Sequence, residues 1–258
     1  MTGSPTARSF EYWLHTYKHA WRASLVSGVL NPVLYLAALG VGLGALVDRS
    51  DPGSLGGVAY LSFVAPGLLA ATGMQIAAGE AGQPVRGAVQ WTQAYHAMLA
   101  TPLDVRDVLH GHLLWILLRV GTSCAIYAGV IAAFGAFQSP WALLALPAAV
   151  LTGMAFAAPI AAFAITQDRD LAFAALSRFA IVPLFMFSGT FFPVDELPGA
   201  FELIAYVTPL WHGVDLAREL SLGTAGVGSA LLHAGYLGLW ILAGTAVAAI
   251  TFRRRLRV

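Results

Sequence analysis

The sequence predicts an all-α polytopic membrane protein with six transmembrane helices, and three observations lead there. Leu25–Leu46 runs 22 residues without a charge. Ala59–Gly79, Trp141–Ile165, Phe179–Val194 and Leu231–Phe252 are also uncharged, and Leu113–Phe137 carries only Arg119. A helix crossing the bilayer core needs roughly 20 apolar residues, so six crossings fit. Composition is the second observation: 58% of the 258 residues are hydrophobic and 10% charged, against about 25% charged in soluble domains. The apolar runs are continuous rather than alternating, which selects helices over a closed barrel.

Charge distribution is the third observation, and it sets the expected orientation. With both termini in the cytoplasm, the inner segments hold eleven cations: Arg8, Lys18, Arg22, Arg86, Arg106, Arg169, Arg178, Arg253, Arg254, Arg255 and Arg257. The outer loops hold two, Arg49 and Arg218. This is the bias of the positive-inside rule. The expected division is residues 1–24 as a cytoplasmic N-terminus with an interfacial helix, 25–252 as the six-helix domain, and 253–258 as a basic tail at anionic headgroups. No cleavable secretory signal is evident in Met1–Ser9. Cys124 is the only cysteine, so no intrachain disulfide forms, and it reads as a packing residue.

Ahead of the first span, Phe10, Trp13, Leu14, Tyr17 and Trp21 recur at helical spacing beside Lys18 and Arg22. That pattern predicts a helix in the cytoplasmic interface, aromatics toward lipid and cations toward headgroups. It serves as an anchor or as a lever that docks a partner. Span 1 carries Asn31-Pro32 and, further out, the small pair Gly40 and Gly44, which permits close helix approach. Asn31 either bonds the backbone freed by Pro32 or faces a polar path. Asp48–Gly57 has turn composition.

The inner segment Glu80–His112 contains Met98-Leu99-Ala100-Thr101-Pro102-Leu103-Asp104-Val105-Arg106-Asp107-Val108-Leu109. Thr101 can cap a helix whose first residue is Pro102, where the missing N–H costs nothing, and Asp104 then suits the first-turn dipole. A short amphipathic surface helix is expected. Arg119, about two turns into span 3, is close enough to the cytoplasm to snorkel or to meet a substrate. The short connection Thr166–Ser177 carries Asp168, Arg169 and Asp170.

Beyond span 5, Phe191-Phe192-Pro193-Val194-Asp195-Glu196-Leu197-Pro198 leads into Phe201–Val207, then Thr208-Pro209-Leu210-Trp211-His212-Gly213 and Val214–Leu220. Two helices too short to cross, yet too apolar for a free loop, read as a re-entrant or interfacial pair broken at Pro209. Phe201, Leu203, Ile204 and Tyr206 supply an apolar face, and Arg218 has acids nearby to pair with. The pair forms either a moving outer gate or a rigid lid, with Pro193, Pro209, Trp211, His212 and Gly213 at its breaks and contacts.

What is missing narrows the chemistry. The single lysine, Lys18, follows no Gly-x-x-x-x-Gly, so the chain holds no Walker A loop and cannot be a P-loop motor. No acid lies inside the proposed spans, which disfavours a self-sufficient ion-coupled carrier. His110 and His112, at i and i+2, do not share a helix face. No paired-cysteine or His-Glu-x-x-His motif is present, so no metal site is expected. Ser188 lies in no nucleophile elbow, and a pairing with His212 or His233 reads as packing. The basic tail is expected at lipid rather than at nucleic acid. No catalytic residues are assigned.

The order of these segments resembles the membrane subunit of ABC-2-type ABC exporters, nearest the branch of nodulation lipo-oligosaccharide and daunorubicin-type drug exporters. The resemblance is carried by Ala65-Pro66-Gly67-Leu68, by Met98–Leu109 with Gly111 and Trp115, and by Phe187-Ser188-Gly189-Thr190-Phe191-Phe192-Pro193. Pro209-Leu210 with His212-Gly213-Val214-Asp215-Leu216-Ala217-Arg218 completes it. The chain departs from that pattern at His112, where such sequences often have an acid, and at Gly82-Gln83-Pro84.

The resemblance implies a permease with no cofactor of its own, moving an amphipathic, lipid-linked, glycan or drug-like substrate outward across the plasma membrane. A separate ABC ATPase in two copies would carry ATP and Mg, and a second permease, identical or homologous, would complete the transporter. It also implies that Thr101, Pro102, Leu103, Asp104, Val105, Arg106 and Asp107 form the coupling helix that enters an ATPase groove. Spans 1, 2 and 5 would build the permease seam and the path, giving Asn31, Tyr35, Met74, Gln75, Phe187, Ser188 and Thr190 as lining candidates. A non-transport scaffold of a membrane complex and an ATP-independent carrier or channel remain as other readings of the residues themselves.

Overall fold

The computed structural model describes residues 4–18, 30, 32–50 and 57–256. Its described elements are helical: α1 (Pro5–Tyr17), α2 (Pro32–Arg49), α3 (Tyr60–Ala81), α4 (Gln83–Gln90), α5 (Ala94–Leu99) and α6 (Val105–Ala133). A 3₁₀ turn at Pro140–Leu144 runs into α7 (Ala145–Ala164). Then come α8 (Leu171–Phe187), α9 (Gly199–Val207), α10 (Pro209–Leu222) and α11 (Val227–Leu256). Among the described residues, five helical stretches are long and apolar enough to cross a membrane: Pro32–Arg49, Tyr60–Gln90, Val105–Ala133, Pro140–Ala164 and Val227–Leu256. Leu171–Phe187 is apolar but shorter.

Helix α3 is the axis of the bundle. It packs on α7, α10, α6 and α2, and Leu69, Ala70, Ala71, Met74 and Ala77 along it are fully buried. Small residues let the backbones meet. A Cβ on Gly73 would strike the Ala149 carbonyl, and one on Gly153 would lie 2.8 Å from the Gly73 carbonyl and 2.7 Å from Val120. In a bilayer, helices are held by such close packing rather than by hydrophobic burial. In the span 1 pair, a Cβ on Gly40 would strike the Leu61 side chain of α3, whereas one on Gly44 would make an ordinary contact, 3.6 Å from Tyr60, so the pair serves a contact within the chain.

Several expectations change. Asn31, Trp21, Arg22 and the start of the predicted first span lie outside the described residues. Helix α1 does not turn its aromatic face to lipid: Ser9 and Trp13 are buried and α1 packs along α6. Ser9 stands where a Cβ on Gly111 would fall, and the Trp13 ring lies 4.1 Å from that of His112. Span 5 is displaced toward the N-terminus, Leu171–Phe187 instead of Phe179–Val194. The chain turns at Gly189, with φ +78°, a conformation that costs glycine least. The helix therefore ends before Phe191–Val194 despite their apolar character. Helix α11 continues through Leu256 rather than giving way to a separate tail, and Arg255 pairs with Asp168.

Candidate translocation and coupling surfaces

At the inner end of the bundle, Thr101 does not cap a helix. Its hydroxyl donates to the Met98 carbonyl at 2.6 Å and closes α5, while Pro102 and Leu103 form a turn. The N-cap is Asp104. Its side chain accepts from the backbone N–H of Asp107, whose carboxylate accepts from the Asp104 N–H at 3.0 Å, a reciprocal capping box. The sequence between Val105 and span 3 has no break, so the predicted surface helix is the first turns of α6. Thr101, Pro102, Asp104 and Arg106 are exposed, Leu103 and Val105 half-buried, and Asp107 accepts from the Thr6 hydroxyl of α1 at 2.9 Å. Asp104, Val105, Arg106 and Arg253 line a surface cavity of about 300 Å³.

Behind this surface lies a polar network that the sequence reading missed. Arg119 does not snorkel; its Nε donates to Glu80 Oε1 at 2.9 Å and its Nη1 to the Tyr17 hydroxyl at 2.7 Å, with the guanidinium 4.4 Å from the Tyr17 ring centre. Trp115 Nε1 donates to the other Glu80 oxygen at 3.1 Å. His112 is buried, with one ring nitrogen 2.6 Å from the Tyr95 hydroxyl and the other 3.2 Å from the Glu80 carbonyl. A usable signal was present: Glu80 directly follows an uncharged run, and an arginine inside the next span needs a counter-charge. Further along this end, Arg86, itself buried, pairs with Asp170, while Gln90 donates to Asp168 at 3.0 Å. The Arg86 guanidinium holds the Asp170 carboxyl below the usual aspartate range. That contribution is present above the ordinary aspartate pKa and is lost as pH falls through the depressed one.

The candidate path residues separate into two groups. Tyr35 and Gln75 line a groove of about 610 Å³ between α2, α3 and α8, with Gly82, Phe173, Ile181 and Phe185. Tyr35 and Met186 continue it into a second groove of about 660 Å³ that reaches Phe192, Pro193 and Glu196. Phe187 is exposed near it, its ring 6.1 Å from that of Phe201. Met74, Ser188 and Thr190 are buried away from the groove. The Ser188 hydroxyl lies 3.3 Å from that of Thr208, not beside a histidine, and a Cβ on Gly67 would lie 3.0 Å from the Thr190 carbonyl. The Ser188-Gly189-Thr190 turn is thus a seat for span 5 on α3.

The outer pair breaks where expected. Thr208 caps α10, its hydroxyl accepting from the Trp211 N–H at 3.4 Å, with Pro209 in the first turn. Phe201, Leu203 and Ile204 of α9 are exposed, whereas α10 is wedged onto α3 and α7. Gly213 is a packing position within a helix: a Cβ there would collide with Thr152. Among the described residues Arg218 forms no ion pair with an acid. It donates to the Phe63 carbonyl at 3.1 Å and the Gly189 carbonyl at 2.6 Å, 3.8 Å over the Phe63 ring. It fastens the end of span 5 to α3.

A comparison with known sequences fits this architecture. The model of the ABC-2 type transporter family matches residues 11–222. The Nodulation protein J of Rhizobium leguminosarum bv. viciae is 34% identical over 255 residues, covering 95% of each chain. That of Rhizobium meliloti is 30% identical over 95% of this chain and 92% of the relative. The inner membrane transport permease YadH of Escherichia coli is 24% identical, covering 89% and 90%. No solved structure matches the chain. With most of its length under the family model and relatives of this similarity end to end, the chain belongs to the ABC-2 type transporter family and is a multi-pass transport permease.

Proposed function

We propose that this permease exports an amphipathic substrate, lipid-linked, glycan or drug-like, across the inner membrane with energy from a separate ABC ATPase. One observation carries the reading: the groove lined by Tyr35, Gln75, Phe185 and Met186 stays open on the side of the chain between α2 and α8. Its aromatic and amide lining suits a solute with both ring or chain surface and polar groups. Two permeases apposed along this side would close the groove into a path, and two ATPases would sit beneath them. The cation bias supports six crossings with both termini inside, α8 being the short sixth.

The exposed turn 101–104 and the capped start of α6 suit the ATPase contact. Leu103 offers an apolar knob, Arg106 a charge, and the capping box keeps them rigid. Changing Leu103 and Arg106 together to Ala is expected to reduce co-purification of the ATPase, or to leave hydrolysis uncoupled from export, by tenfold or more. Equal association and export in the variant would refute this assignment. Cysteines at Tyr35 and Met186 are expected to cross-link between two copies of the permease in membranes. Cross-links formed only through α6 and α7 would refute the seam.

A further inference from the structure

We propose that Asp215, Glu219 and His233 form a binding site for one divalent cation of the zinc class, joining the outer helix pair to the last span. One ligand atom from each lies within 4.8 Å of the others. No motif along the chain marks the site, because its imidazole comes from a different helix: Asp215 and Glu219 stand one turn apart on α10, and His233 is on α11.

Hydrogen-bond accounting supplies the second argument, and it starts at His212. The His212 Nδ1 faces the Nδ1 of His233 at 2.8 Å, so one of the two nitrogens donates and the other accepts. A cation at Asp215 and Glu219 selects the arrangement in which His233 donates from Nδ1 and His212 accepts on its bare Nδ1. His233 then presents a bare Nε2, buried and aimed at the Asp215 carboxylate. Two lone-pair atoms facing each other need a positive centre between them.

The spacing selects the ion over a proton. His233 Nε2 lies 3.4 Å from Asp215 Oδ2, longer than the roughly 2.7–2.9 Å of a charge-assisted N–H···O bond. It matches the edge of a tetrahedron built on metal–ligand bonds of about 2.0–2.2 Å. The Ser229 hydroxyl donates to one Glu219 oxygen at 2.6 Å, which orients the carboxylate and leaves the other oxygen for the metal. His212 then holds the ligand imidazole through its far nitrogen, the usual outer support of a zinc histidine. Both carboxylates are only half-buried, so the ion has an entry path and an open fourth position. One imidazole with two carboxylates suits zinc or manganese better than calcium or magnesium. The assignment is independent of the transport reading.

The test uses the full-length chain without an affinity tag, stripped with EDTA in nanodiscs and titrated with Zn²⁺ against a chromophoric chelator. Wild type is expected to retain one zinc per chain after desalting. The D215N/E219Q variant is expected to bind at least 100-fold more weakly, His212→Gln about 10–100-fold more weakly, and D195N/E196Q as wild type. If the double variant fails to fold, wild type alone decides: its melting temperature should rise with Zn²⁺ and fall with EDTA. No retained zinc in wild type, no thermal response, or equal retention by D215N/E219Q overturns the site.

Discussion

Replacing Arg119 with Met is expected to destabilise the protein by about 2–4 kcal/mol, toward the lower part of the range for breaking a buried ion pair. The Arg119 side chain is 12% exposed and that of Glu80 22%, so water screens the orphaned carboxylate only in part. Three losses coincide: the Glu80 charge keeps one neutral donor, Trp115, the Tyr17 hydroxyl loses its donor, and the cation–π contact disappears. Helix α1 then loses its last-turn tether to α6. The melting temperature of the purified chain should fall by roughly 5–10 °C, given about 2–4 °C per kcal/mol at this size. Proteolysis should clip residues near Tyr17 sooner. Changing Glu80 to Gln in the same protein should recover most of the loss, since removing both charges removes the desolvation cost. A single variant that melts with wild type would show that the pair contributes nothing.

Gly73→Val is expected to separate α3 from α7, with a cost at or above the roughly 1–3 kcal/mol typical of overpacking. The new Cβ meets the Ala149 backbone carbonyl, and a backbone atom in a helix cannot rotate away as a side chain can. Gly153 and Val120 bring α6 to the same point, so the strain spreads to three helices. Gly73→Ala should give a smaller loss of the same sign. Gly79→Ala, where nothing lies within 4 Å of the added Cβ, should melt with wild type. Detergent melting curves of the three variants check the order; a Gly73→Val protein as stable as Gly79→Ala would remove α3–α7 packing as the organising contact.

The solvent of this protein was settled by its sequence alone. A charge-free run of bilayer length has few places to go but lipid or the interior of a bundle, and local chemistry marked the break at Pro209. The residues that resemble the family, from Ala65-Pro66-Gly67 to His212–Arg218, were legible for the same reason: they are contiguous. What the chain brings together from a distance was not. Asp104 rather than Thr101 starts α6 because Asp107 completes its cap, while Thr101 is used by α5. Ser188 and Thr190 read as path-lining hydroxyls, but their turn is fastened to α3 by Arg218. Glu80 meets Arg119 across 39 positions, and Asp215 meets His233 across two helices. A buried charge finds its partner in space, and spacing along the chain has no term for the crossing of helices; only the tertiary packing, set by Gly73 and Gly153 at the centre of the bundle, decided which polar groups would face each other.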